Sequence, residues 1–410
     1  MINILWAGMF LIAILAAIYD LITTQSAETF NRITQAIFKN TQAAVDVSLG
    51  LISILCFWLG VLRLIEESGL ADKIAKKLAP LFQVIMKDVP KDSPAISTVV
   101  LNMAANFLGL DNAATPMGLK AMEQLQEHNK QKDTASDAEI LFMILNASSV
   151  TLIPITIFMY RAQMGATNPA EVFIPILLAT SVSTITGFLC IAAKQKINLF
   201  HPTLLKWVGC FLGLIIGLTV TFYAISPEKR LAVSSALGNI LLVTLIGGII
   251  ALAVKRRLAC YEVFLEGAKE GFNMAIRILP YLLAMLVAIG VFRASGVLDM
   301  LINGVRLICD EVHIDSQFAD ALSTAFMKPL SGSGARAMMI ETMQNFGADS
   351  FAAFTASVIQ GSTETTFYVL TVYFGAVNIS KMRYAVKYAL ISDLAGIIAA
   401  ITLSYLFYQH

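Results

Sequence analysis

Seven apolar stretches of about 20 residues, the length needed to cross the hydrocarbon core of a bilayer, recur along this chain. They run over 2–22, 44–64, 171–193, 203–225, 232–254, 274–293 and 384–408 of 410 residues. Composition agrees. Hydrophobic residues make up 57% of the chain and charged residues 14%, against about 45–50% and about 25% in soluble domains. Mean hydropathy is +0.73. So few charges cannot cover so much apolar surface in water, so the expected class is an all-α, polytopic membrane protein. Residues 2–19 have no Lys or Arg before them and no A-x-A cleavage site after them. They therefore read as a retained first span.

Charge and metal-binding residues narrow the function classes. A net charge of +1 gives no basic field for nucleic acid. The cysteines (56, 190, 210, 260, 309) and histidines (128, 201, 313, 410) lack the spacing of a zinc or haem site. No cofactor motif is present.

Two further apolar segments, 139–160 and 352–374, are interrupted by polar residues and, in the first, by Pro154. Counted as broken helices, they raise the expected number of spans to about nine. Residues 69–86 place Leu70, Ile74, Leu78, Leu81 and Ile85 on one stripe, with Asp72, Lys73, Lys76 and Lys77 largely opposite. This is the pattern of an amphipathic helix lying along the membrane surface. Residues 95–126 and 321–346 each read as two short apolar arms around a polar turn, 110–112 and 331–334. Arms too short to span suggest re-entrant hairpins, which are tolerated at depth only when buried in protein or lining a cavity. With the N-terminus inside, the inner segments hold about two thirds of the Lys and Arg, which favours an inside N-terminus and an outside C-terminus.

The chain also repeats. Gly60-Val-Leu-Arg63 and Ser68-Gly-Leu-Ala-Asp72 recur as Gly290-Val-Phe-Arg293 and Ser295-Gly-Val-Leu-Asp299, the second pair 227 residues apart. Ser97-Thr98 recurs as Ser323-Thr324 at 226, and Ile144-Leu-Asn-Ala-Ser-Ser-Val-Thr151 as Val358-Ile-Gln-Gly-Ser-Thr-Glu-Thr365 at 214. Five crossings separate the starts of the two copies, so the second copy is expected upside down. The expected organisation is an N-terminal span and loop (1–42), a first repeat (43–193), two linking spans (194–265) and a second repeat (266–410). Inverted repeats with discontinuous helices are common in secondary transporters, whose sites lie near the bilayer midplane.

Polar residues inside the membrane are the candidate site, because ionisable groups at depth are costly and usually face a cavity. In the second broken helix these are Gln360, Thr363, Glu364 and Thr365, with Glu364 expected to be the only buried carboxylate of the broken helices. Ser331, Gly332, Ser333 and Gly334 in the second hairpin turn allow close backbone approach and expose N–H groups. Together they are the expected solute contacts. Asn106, Asp111, Asn112, Asn146, Ser148 and Ser149 offer the oxygen ligands that hard cations prefer. The structural alternative for the hydroxyls is helix-to-helix hydrogen bonding. For Glu364 it is pairing with Lys328 or Arg336. A nucleophile elbow needs Gly-x-Ser-x-Gly, and position 331 is Ser, so an intramembrane hydrolase is not expected.

Residues 102–122 (NMAANFLGLDNAATPMGLKAM) resemble the signature of spore maturation protein A, and residues 361–377 (GSTETTFYVLTVYFGAV) that of spore maturation protein B. The chain thus resembles a fused spore maturation A/B family carrying the nucleoside-recognition, or gate, domain. The resemblance implies a nucleoside-transporter-like fold in a bacterial cytoplasmic (inner) membrane. In such transporters a Glu of each broken helix matters. Glu364 matches one, and Val150 stands at the repeat-equivalent position of the other. The expected function is a secondary transporter for a small polar solute, nucleoside-like, coupled to sodium ion or proton. The alternative is an envelope-biogenesis or scaffold protein that keeps the fold without transport. Glycine and alanine in the spans would permit a homo-oligomer.

Overall fold

Every apolar run lies in a helix of the computed structural model, which describes residues 2–90, 93–107, 111–148, 150–152 and 154–408. The chain opens with α1 (Ile2–Thr24), α2 (Glu28–Glu67) and the amphipathic α3 (Leu70–Ile85). A hairpin follows, α4 (Pro94–Phe107) and α5 (Asp111–His128). The first broken helix is α6 (Asp137–Ala147) and α7 (Ile155–Gln163), and α8 (Phe173–Lys194) comes next. Two helices, α9 (Pro202–Ala224) and α10 (Pro227–Lys255), lead to α11 (Cys260–Ala294) and α12 (Val297–Glu311). The second hairpin is α13 (Leu322–Met327) and α14 (Gly332–Phe346). The second broken helix is α15 (Phe351–Ser362) and α16 (Thr366–Ala376), and α17 (Ala385–Phe407) closes the order.

Among the described residues seven helices are long and apolar enough to cross a membrane: α1, α2, α8, α9, α10, α11 and α17. With the two broken helices they account for the expected spans. The protein is an all-α, multi-pass membrane protein. The order α2 to α8 recurs as α11 to α17: a long helix, a shorter one, a hairpin, a broken helix and a span. Both shorter helices are entered through a left-handed glycine, Gly69 (φ 64°) and Gly296 (φ 82°), a turn that a side chain would strain.

Two elements differ from hydropathy. The segment before residue 43, expected as span and loop, is helical from Glu28. Its Phe30, Ile33 and Ile37 form one stripe that packs with Ala13, Ala17 and Val291, so a polar-looking stretch is an amphipathic helix. α12 has no counterpart among the apolar runs. Its Leu298 and Ile302 pack on Ala319, while Arg306 pairs with Asp320 at 2.8 Å.

The breaks have local causes. Pro154, ahead of α7, cannot donate an N–H and disfavours helix in the residue before it. Thr363, Glu364 and Thr365 separate α15 from α16, and β-branched threonines lose rotamer freedom in a helix. Intact α6 begins with a capping box, in which Ser136 and Glu139 satisfy each other's backbone N–H groups.

The chain divides into two units. The first is Met1–Gly60, Thr156–Pro169 and Leu265–Gln360; the second is Val61–Ile155, Ala170–Phe264 and Gly361–His410. The division falls at both breaks, so α6 and α16 belong to the second unit and α7 and most of α15 to the first. The second unit has a core of Phe82, Ile96, Val100, Phe142, Leu370 and Phe374. The Phe142 and Tyr373 rings stack in it at 5.9 Å. α9 and α10 carry bare apolar side chains such as Leu205, Ile216, Val220 and Val243, as expected of helices facing lipid. α17 instead buries small residues, among them Ala389, Ser392, Gly396 and Ala400, along the face that α8 meets. Lipid tails are as apolar as leucine, so close approach of small residues and hydrogen bonds hold such helices together.

Candidate functional site

In the second unit the ends of two half-helices meet. α6 ends at Ala147 and α16 begins at Thr366. The backbone N–H of Glu364 donates to the Ala147 carbonyl at 2.9 Å. The negative end of one helix dipole thus meets the positive end of another, and both retain backbone groups without intrahelical partners.

Around this junction the side chains divide into engaged and open groups. Asn106 on α4 donates to the Asn146 oxygen at 2.8 Å, and Asn146 donates to the Phe142 carbonyl at 3.0 Å. Asn102 donates to the Ala114 carbonyl across the hairpin at 2.7 Å. Gly118 on α5 has no room for a side chain, because a Cβ there would strike the Tyr373 hydroxyl. The Ser148 hydroxyl donates to the Ile144 carbonyl, and the Ser148 carbonyl accepts from Thr184 on α8. These groups are used within the protein. By contrast the hydroxyls of Thr363 and Thr366 are buried without a hydrogen-bond partner among the described residues. Thr365 sits at the N-cap of α16 without a side-chain cap bond. Glu364 is exposed. The expectation of a buried Glu364 is therefore corrected: the break spends its backbone N–H on Ala147 and leaves its carboxylate open, as a ligand contact requires.

Asn106, Asn146, Ser148, Thr363, Glu364 and Thr365 thus come together at one junction. The others lie elsewhere or outside the described residues. Ser149 lies outside them, as do the side chains of Asp111 and Asn112. Ser331, Gly332, Ser333, Gly334 and Gln360 belong to the first unit. There the Ser331 hydroxyl caps α14 by accepting from the Gly334 N–H at 3.0 Å. A Cβ on Gly334 would sit 2.8 Å from the Met285 methyl. This turn caps α14 and is tightly packed.

Several polar residues of the interior escaped the sequence reading. Arg161 on α7 is fully buried, 3.4 Å from the Ser357 hydroxyl and 3.9 Å from Asp349. Asp393 on α17 is 1% exposed, an acidic residue in the middle of an apolar run. Ser183 and Ser392 bond each other where α8 crosses α17. The available signal was a Ser-x-x-x-Gly spacing, at 183 and 187 and again at 392 and 396.

Comparison with known proteins accounts for this repetition. A family model described as "Gate: Nucleoside recognition" matches residues 48–167 and 275–380. The chain belongs to this gate family. Each matched segment contains one hairpin and one broken helix, and together they cover more than half of the chain. Among its relatives, spore maturation protein A of Bacillus subtilis (strain 168) is 37% identical over 185 residues, which is 45% of this chain and 91% of that protein. Spore maturation protein B of the same organism is 45% identical over 157 residues, 38% of this chain and 86% of that protein. The gate protein described here is a fused member of that spore maturation A/B family.

Proposed function

We propose that this protein is a secondary transporter for a small polar solute of nucleoside-like character, coupled to a cation. One observation carries the reading: at the junction of α6 and α16 two buried hydroxyls, of Thr363 and Thr366, have no hydrogen-bond partner among the described residues, and the Glu364 carboxylate beside them is exposed within an apolar protein. Polar groups at membrane depth that the fold leaves open usually serve a permeant. Glu364 would accept hydrogen bonds from solute hydroxyl or amine groups. Thr363, Thr365 and Thr366 would complete its ring of contacts, and the N-terminus of α16 would favour an electronegative edge of the solute. The membrane is the bacterial cytoplasmic membrane, with the N-terminus inside and the C-terminus outside. A C-terminal reporter that scored cytoplasmic would reverse this orientation.

The test is ligand-dependent thermal stability of the purified full chain against a panel of nucleosides and other small polar solutes. Binding raises apparent stability by mass action, about 2.7 kcal/mol at a hundred times Kd. At least one solute should stabilise the wild type, and Glu364→Gln should lose that response while keeping its ligand-free Tm. An unchanged response in Glu364→Gln would remove this residue from the site. A second reading, a protein of envelope biogenesis that keeps the fold without transport, draws on the names of the two relatives. It predicts no response from any solute in the panel.

A further inference from the structure

α3 and α12 hold the same place in the two copies of the repeat, and their outward faces differ. On α12, Met300, Leu301, Leu307 and Ile308 are each more than half exposed, a face suited to lipid tails. Among the described residues of α3 no large apolar side chain stands exposed. Its Leu78, Leu81, Phe82 and Ile85 join the core of the second unit. The outward stripe of α3 is Lys73, Lys76, Lys77 and Pro80, all exposed. These positions have the i, i+3, i+4 and i+7 spacing of one helix face.

A second basic segment adjoins this helix. The Lys87 ammonium, just past α3, donates to the Lys196 carbonyl in the turn between α8 and α9 at 2.8 Å. Ile197 of that turn lies in the core that α3 packs on, as does Leu204 of α9. The end of α8, the turn and the start of α9 expose Lys194, Lys196 and Lys206. Among the described residues none of Lys73, Lys76, Lys77, Lys196 and Lys206 pairs with a carboxylate. Asp88 is an exposed acid beside them, and residues 194–208 contain no Asp or Glu. The field over this surface is therefore cationic.

Two observations set the depth of this surface at the edge of the bilayer. α9 carries bare Leu205, Leu214 and Ile216, as a lipid-facing helix does, and Leu205 stands next to Lys206 near its start. Between Lys196 and Lys206, Phe200 is 84% exposed and Leu199 is exposed beside it. Apolar side chains interleaved with lysines suit an interface, where the apolar groups enter the acyl boundary and the ammonium groups stay among headgroups. A soluble anion would engage the lysines and leave Phe200 bare in water.

We propose that α3 and the α8–α9 turn form a docking surface for anionic phospholipid headgroups. The lysines bind the lipid phosphates, and Leu199, Phe200 and Leu205 lie along the acyl chains. Each lysine near a charged bilayer surface raises affinity about fivefold. In the orientation proposed above this is the cytoplasmic leaflet. The surface is separate from the junction of α6 and α16 and holds whether or not a solute is carried. Phe82 and Ile85 of α3 share their core with Ile96 and Val100 of α4, so a lipid that holds α3 also steadies the first hairpin.

The test is thermal unfolding of the purified full chain in a neutral maltoside detergent. It is titrated with dioctanoyl phosphatidylglycerol, with dioctanoyl phosphatidylcholine and with inorganic phosphate. Phosphatidylglycerol should raise Tm to a plateau, and added salt should weaken that response by screening. Phosphatidylcholine and inorganic phosphate should leave Tm unchanged. The triple variant Lys73→Gln, Lys76→Gln, Lys77→Gln should bind phosphatidylglycerol about a hundredfold more weakly, and Lys196→Gln with Lys206→Gln about twentyfold. Phe200→Ser should also weaken binding, while all these exposed positions keep the lipid-free Tm. Lys229→Gln, beyond the far end of α9, should keep the wild-type affinity. A response to phosphatidylcholine or to inorganic phosphate that equals the response to phosphatidylglycerol overturns the proposal. So does a phosphatidylglycerol affinity unchanged in either set of lysine variants.

Discussion

The two hairpins occupy the same place in the repeated order of helices and are held by different chemistry. The first, α4–α5, is tied by neutral amides: Asn102 to the Ala114 carbonyl and Asn106 to Asn146. In the second, Glu341 on α14 is 3% exposed and pairs with Arg293 on α11, while Asn345 donates to the same carboxylate. Amide bonds contribute about 1 kcal/mol each and exchange partners readily. A buried ion pair is lost whole when one member goes, because the other is left charged and unsolvated. The first hairpin is thus held by neutral contacts, and the second by a charged pair whose members depend on each other.

Substitutions at the ion pair should have the largest effect. Glu341→Ala or Arg293→Ala should destabilise the protein by about 3–5 kcal/mol, seen as a lower Tm of the full chain. The double change Arg293→Met with Glu341→Leu should recover most of the loss. Single variants that melt like the wild type would remove the contrast between the hairpins. Next come the crossing glycines. Gly187→Ala and Gly396→Ala each force a Cβ into a gap of under 3.0 Å and should cost about 1–3 kcal/mol by overpacking. Similar costs at the two positions would support equivalent packing of the two glycines, and a large inequality in denaturation midpoints would break it. Asn106→Leu should cost less, about 1 kcal/mol, and loosen hydrogen exchange in α4 without touching α14.

The smallest effect concerns a loop found in the first half alone. Asp133 bonds Lys381 at 2.7 Å, and that ammonium holds its carboxyl below the ordinary value of 3.8. A lowered carboxylate stabilises the fold above its unfolded value and stops doing so as pH falls through the lowered folded value. Proteolysis of the 129–136 loop should therefore accelerate only in strong acid. Asp133→Asn should abolish that pH dependence and change neutral stability little, because both side chains are exposed.

The seven long helices, α3, both hairpins and both breaks were readable from residues, because each depends on properties local to its segment: length, periodicity, a proline or a run of threonines. α12 was not, since hydropathy averages away a helix with charges on its outer face. The repeat of Ser68–Asp72 at Ser295–Asp299 held the only signal for it. The junction was half visible. Polar residues in apolar segments marked Asn146 and Glu364. Which polar groups are engaged and which are open depends on partners distant in sequence, such as Thr184 for Ser148. Asp393 was hidden as well: one acid in a 23-residue helix barely moves a window average.

The division at the breaks also bears on how the chain is made. Synthesis from the N-terminus delivers Met1–Gly60 long before Leu265–Gln360, the segment that completes the first unit, and the second unit waits for Gly361–His410. Neither half of the chain contains a whole unit, so a ribosome pausing between α9 and α10 would hold two unfinished structures and no finished one. Closure comes late and over long sequence distance, which slows folding and prolongs the exposure of intermediates to the insertion machinery. Fragments split at that linker should mature only when both are produced in the same membrane.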